Sequence, residues 1–187
     1  MILKLRFVPK INDWLRRNSV TVNIGEYIVA SSPTILATWA LGSCVSIILF
    51  DPFKKIGSLS HCMLPEPKSP SDNNDPKYVC VAITNMLDEL ERVGSNISHL
   101  RAAIIGGANI FKFAKSFDIG KRNVQKAIAL LRANNIPIDV MDTGGSKGRN
   151  VVFLLSTGEI MVSYTIRHTS WRCHYGSKAF KRRITHS

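Results

Sequence analysis

The sequence predicts a single sheet-based unit of α/β or α+β class, and three observations carry that reading. The 187 residues are 45% apolar and 20% charged, enough chain to bury the core of one domain. Short runs rich in β-branched and aromatic residues outnumber strongly amphipathic helical windows, of which there are two. No internal repeat or low-complexity tract interrupts them. A mean hydropathy of +0.04 argues against disorder, and no run approaches the roughly 18 apolar residues that cross a bilayer.

Residues 20–30 (VTVNIGEYIVA) and 45–50 (VSIILF) read as strands, the second stopped by the turn signal Asp51-Pro52. GSLSHCM at 57–63 suits a third strand, which leaves through Leu64-Pro65 into the loop EPKSPSDNNDP. A helix is expected next, with Asp75 as N-cap, Pro76 in the first turn, Val79, Ala82, Ile83, Met86 and Leu90 on one face, and Gly94 at its end. LRAAII (100–105) reads as a buried strand stopped by Gly106-Gly107, and 122–135 as a second helix facing inward through Val124, Ala127, Ile128 and Leu131. Strands at 138–142, 150–155 and 159–166 complete the pattern, the last two joined by Ser156-Thr157-Gly158.

The net charge of +12 is uneven. Basic residues dominate 1–22 and 164–187, while the chain between them is nearly neutral. This divides the chain into a basic N-terminal extension (1–19), a folded domain (20–166) and a basic C-terminal tail (167–187), the tail being either solvated or drawn to anionic partners. The basic ends lack interleaved aromatics and a reading helix, so nucleic acid is not an expected partner. The opening residues show no secretory signal, which places the protein in the cytoplasm with its four cysteines reduced. None of them forms a C-x-x-C pair, so no metal site is expected.

Chemistry concentrates in two strand ends. In TWALGSCVSIILFDP, Cys44 follows Gly42-Ser43 at a bend, where Gly permits close backbone approach and the N–H groups of Ser43 and Cys44 can face a developing oxyanion. His61, near the end of the next strand, returns to the same rim if the two strands form a hairpin. A His in reach can take the thiol proton and later protonate a leaving amine. A third group must orient the ring, and Thr38 and Ser60 are the candidates. Thr38 is favoured because six residues of strand would put it on the face of Cys44. Cys62 should point the other way, toward the core, while Cys80 lies on an apolar helix and Cys173 in the tail. Glycine turns at Gly106-Gly107, Ile119 to Asn123 and Gly144-Gly145 to Arg149 lack phosphate-loop spacing. They are expected to bring Gly106, Gly107, Asn123, Gly144, Gly145 and Arg149 to the rim of the thiol.

From Gly25-Glu26-Tyr27 through LGSCVSIILFDP, GSLSHCMLP, GGANIF, IGKRN and TGGSKGR to STGEI, the order and spacing resemble the CheD-type chemoreceptor glutamine deamidases. Around the His the family pattern is G-G-x-x-H-[FY], whereas this chain has Gly57-Ser58-Leu59-Ser60-His61-Cys62. The resemblance implies a three-layer α/β sandwich with a mixed or antiparallel sheet core and two main helices. It implies a cysteine-dependent protein-glutamine glutaminase with Cys44 as nucleophile, His61 as base and Thr38 completing the triad. The implied substrates are glutamines on the cytoplasmic helices of methyl-accepting chemotaxis receptors, with a CheC-type phosphatase as regulatory partner and no cofactor. Hydrolysis of a glutamyl methyl ester would be a natural side reaction. The alternative is a non-catalytic chemotaxis adaptor that binds such a phosphatase or receptor.

Overall fold

The computed structural model describes residues 2–69, 74–109 and 118–165. The expected tail at 167–187, with Cys173, lies outside the described residues, as do parts of the loop at 66–76 and of the GGANIF segment. In chain order the elements are β1 (Lys4–Phe7), α1 (Asp13–Asn18), β2 (Val20–Thr21), β3 (Tyr27–Ser31), β4 (Ile35–Leu41), β5 (Val45–Asp51) and β6 (Ile56–Ser60). There follow α2 (Val79–Arg92), a 3-10 turn (Ile97–His99), β7 (Arg101–Gly106), α3 (Ile119–Ala133), β8 (Ile138–Thr143), β9 (Arg149–Leu154) and β10 (Glu159–Tyr164).

Ten strands form two sheets of five among the described residues, ordered β1-β10-β9-β4-β2 and β3-β6-β5-β7-β8. The fold is therefore a mixed α/β sandwich whose sheet component is double. Strand β5 explains the layering, because all seven of its residues are buried and successive side chains face opposite ways. Val45, Ile47 and Leu49 pack beneath α2 and α3 with Ala82, Met86, Leu90, Ala127 and Leu131. Ile48 and Phe50 face the other sheet and join Leu36, Val151, Phe153 and Ile160. There Phe50 and Phe153 meet edge to face, with centroids 5.4 Å apart. A smaller cluster of Ile11, Leu15, Ala37 and Val152 lies on the outer face of the first sheet, under α1.

Four details differ from the sequence reading. The run 20–30 is two strands, because the side chain of Glu26 accepts from the backbone of Asn23 and closes a turn between them. Residues 4–18 lie inside the fold: β1 adds parallel to β10, and Leu15 is buried on the outer sheet face. Charged residues interrupt the apolar ones throughout, which hid both elements from pattern reading. Asp75 holds the turn before α2 through the N–H of Lys77 at 2.9 Å, while the helix itself starts after Tyr78 with no side-chain cap. Helix α3 begins three residues earlier than expected because the side chain of Asp118 accepts from the N–H of Lys121.

Because Phe153 joins both sheets in a fully buried pair, Phe153→Ala should cost about 3–5 kcal/mol of unfolding free energy in a denaturant titration. Truncation of the exposed Phe53 should cost under about 0.5 kcal/mol.

Candidate active site

Strands β5 and β6 form the expected hairpin, paired antiparallel from Asp51↔Ile56 to Ile48↔Leu59. The ladder closes at Val45 and Cys62, whose backbones exchange hydrogen bonds of 2.9 and 2.8 Å. Alternation about that rung puts the side chains of Cys44 and His61 on one face, diagonal to each other and within reach for a long side chain. Val45 and Cys62 take the opposite face, and Cys62 is buried beneath the helices. The family pattern has an aromatic at position 62, and the residue there points into the core rather than the site. Ser60 also faces away, in contact with the sulfur of Cys62 at 3.5 Å, so it cannot steer His61.

Thr38 reaches His61 by a route other than the one the spacing suggested. It does not share a strand with Cys44, because Ala40 has a positive φ of 57°, the pairing of β4 with β9 shifts between Thr38 and Leu41, and residues 42–44 cross to the other sheet. Thr38 stands on β4 and meets the ring from across the gap between sheets, with Oγ1 2.7 Å from Nδ1 of His61. Its hydroxyl donates to the carbonyl of Val22 at 2.9 Å. A hydroxyl has one hydrogen, so Nδ1–H must donate to Oγ1, and that tautomer leaves a lone pair on Nε2. Nε2 is buried and has no hydrogen-bond partner among the described residues.

Both chemical groups are neutral at rest. Burial pushes the Cys44 thiol up and pulls His61 down from 6.5 to about 4, since each charged form would lose its hydration. Cys44 is half-buried, while Thr38 and His61 are closed off. Cys44 is therefore the one of the three that retains access to solvent.

The loop bearing Cys44 is held by three successive carbonyls. Gly42 O accepts from Ala108 N at 2.8 Å, Cys44 O from Gly107 N at 2.8 Å, and Ser43 O from the Asn123 amide at 3.1 Å. Among the described residues, the backbone N–H groups of Ser43 and Cys44 have no backbone partner. Gly106 permits this packing, with φ at +115° and a position where a Cβ would lie 2.4 Å from Cys44 O. Gly107 and Gly120 press together in turn, which seats the start of α3 behind the loop.

Several residues expected at the rim therefore stand elsewhere. Gly106 and the fully buried Asn123 support the loop from behind, and Gly107 does so through its N–H while also bordering the open cleft beside Gly144 and Gly145. Arg149 is also buried: Nε and Nη2 each meet the carboxylate of Asp142 at 3.0 Å, and Nη1 meets the carbonyls of Gly144 and Lys147. That arrangement uses its donors to brace the turn at 143–148. Gly144 and Gly145 do border an open cleft, together with Asn109, Lys121, Val124 and Gln125. Glycine spacing marks where a chain turns but not which side of the turn is exposed. Among the described residues, no cluster of His, Cys, Asp or Glu could hold a metal ion, and no helix is long and apolar enough to cross a membrane.

Residues 63–164 match the family described as CheD chemotactic sensory transduction. The chain is 36% identical over 141 residues to the chemoreceptor glutamine deamidase CheD of Thermotoga maritima, covering 75% of this chain and 88% of that one. It is 38% identical over 154 residues to a probable chemoreceptor glutamine deamidase CheD of Desulfitobacterium hafniense, covering 81% and 96%. A probable CheD 2 of Geobacter metallireducens is 40% identical over 148 residues, covering 76% and 91%. Thr38, Cys44 and His61 precede the family match, so their roles rest on geometry.

Two measurements follow. Unfolded chain takes up the His61 proton at 6.5 and folded chain only at about 4, so stability is full above the higher value and falls as pH drops toward the lower one. Denaturant midpoints across that window should show this slope, and His61→Gln should flatten it. Gly106→Ala adds both a clash and a strained φ, and thermal melts should show a loss of roughly 2–5 kcal/mol. Gly145→Ala, at φ +71° in open space, should lose about 1–2 kcal/mol.

Proposed function

Because the chain belongs to the CheD family of chemoreceptor glutamine deamidases, we propose that Cys44, His61 and Thr38 carry its reaction, the hydrolysis of receptor glutaminyl side chains to glutamate. The observation that supports this most is the 2.7 Å contact of Thr38 with Nδ1 of His61. It fixes the tautomer whose free Nε2 lies on the face of the Cys44 sulfur.

The sulfur attacks the side-chain amide carbon as its proton passes to Nε2, so charge appears only as the new bond forms. The amide oxygen becomes an oxyanion, and the backbone N–H groups of Ser43 and Cys44, which have no backbone partner among the described residues, are the donors that would stabilise it. Collapse breaks the carbon–nitrogen bond, and ammonia leaves with the proton held on Nε2. Water then attacks the thioester while Nε2 accepts its proton, and cleavage returns that proton to the sulfur and frees glutamate. Thr38, donating to Val22 O, keeps Nδ1–H as donor throughout and stabilises the imidazolium formed at each attack. The same steps hydrolyse a glutamyl methyl ester.

A half-exposed thiol suits a substrate side chain that projects from a helix, as receptor cytoplasmic helices would present it. A CheC-type phosphatase as regulatory partner, a cytoplasmic location and a basic tail at 167–187 beyond the functional unit belong to the same reading.

Incubation with a receptor cytoplasmic fragment, followed by peptide mass spectrometry, tests it. Cys44→Ala and His61→Ala should abolish the mass change of glutamine to glutamate, and Thr38→Val should slow it roughly 10–100-fold. Full activity in either alanine variant would refute the assignment.

A further inference from the structure

Beyond the rung formed by Val45 and Cys62, the two strands that carry the reacting groups part company. The Cys44 arm turns toward β7, where Gly107 N and Ala108 N hold its carbonyls. The strand that carries His61 turns the other way past the rung, with Met63 N and Leu64 N donating to Lys77 O at 2.8 and 3.1 Å, while His61 itself lies just before the rung with its backbone bonded to Gly25 and Glu26. No backbone pairing bridges the fork on the described residues. One side chain does: Nδ2 of Asn123 donates to Ser43 O at 3.1 Å and to Met63 O at 3.0 Å. Ser43 directly precedes the nucleophile, and Met63 lies two residues past the base.

The chemistry is specific to a primary amide. An Nδ2 group offers two hydrogens, one for each arm, and a carboxylate of the same shape offers none. An apolar side chain would offer neither carbonyl a donor and would leave the two arms untied. Asn123 is itself fully buried on α3, whose start is seated by the contact of Gly107 with Gly120, so the amide sits on a rigid element. Attack by a neutral thiol needs sulfur and Nε2 held to within about half an ångström of a productive geometry. We infer that Asn123 is a positioning residue for the deamidation, setting the separation of Cys44 and His61 by tying both arms of the fork to α3. This inference rests on the reading that those two residues carry the reaction.

Steady-state deamidation of a receptor fragment, at a temperature where circular dichroism shows every variant folded, tests it. Asn123→Leu should lower kcat at least tenfold with KM changed less than threefold, because the substrate surface stays while the alignment goes. Asn123→Asp should fall similarly at neutral pH and recover part of its kcat toward pH 5, as a neutral carboxyl regains one donor; Asn123→Leu should show no such recovery. In the unsubstituted protein, both Nδ2 hydrogens should exchange with solvent at least a hundredfold slower than those of an exposed asparagine. Rapid exchange would overturn the inference even if the variants fail to fold. If Cys44→Ala still deamidates, the catalytic assignment fails with it. If Cys44→Ala is inactive while Asn123→Leu keeps its kcat, only the positioning role is refuted.

Discussion

A single hydrogen bond across the gap between the two sheets, from the His61 ring to the Thr38 hydroxyl, is the constraint on which the site depends. Its two partners come from different sheets, so the bond forms only when the layers pack in register. The layers in turn are held by alternating faces of β5 and β6, with the Phe50 and Phe153 rings between them. Packing therefore sets chemistry in a direct way. The spacing of the sheets decides where the imidazole stands, and the Val22 carbonyl decides which nitrogen bears the hydrogen.

The second requirement is a thiol that can be reached by a substrate while its loop stays fixed. Residues 42–44 meet it by having all three of their carbonyls pinned, to Ala108, Asn123 and Gly107. Such an arrangement stores the loop's rigidity in α3 and β7, well behind the reacting atom. It also explains why so many of the chain's glycines gather there. Close approach of backbone to backbone, as at Gly106 and Cys44, leaves no room for a Cβ.

The sequence conveyed much of this and misplaced part of it. The hairpin that brings Cys44 and His61 to one face could be read from strand length and the turn at Asp51, since period-two alternation is local. Thr38 was legible as a residue but not as geometry: a same-strand argument pointed to it, whereas a positive φ at Ala40 sends it to a different sheet. Asn123 and Arg149 looked like rim residues because polar side chains near glycine turns are usually exposed. Both are buried: the Asn123 amide N–H groups donate to the carbonyls of Ser43 and Met63, far away in sequence, while Arg149 folds back onto the Asp142 carboxylate and the carbonyls of its own turn. Residues 4–18 escaped notice because their order comes from β10 and the outer sheet face, which no local pattern reveals.

The pairing of β1 with β10 has a bearing on how the protein comes into being. Strand β1 waits for β10, far along the chain, and β4 likewise waits for β9. The sheet that supplies the hydroxyl cannot close until nearly all the chain has been made, a topology of high contact order that favours slow, late assembly. The hairpin of β5 and β6, by contrast, needs only its own residues. Nascent chains thus carry thiol and imidazole long before the ring is oriented, since the sheet that holds Thr38 closes only once β9 has been made.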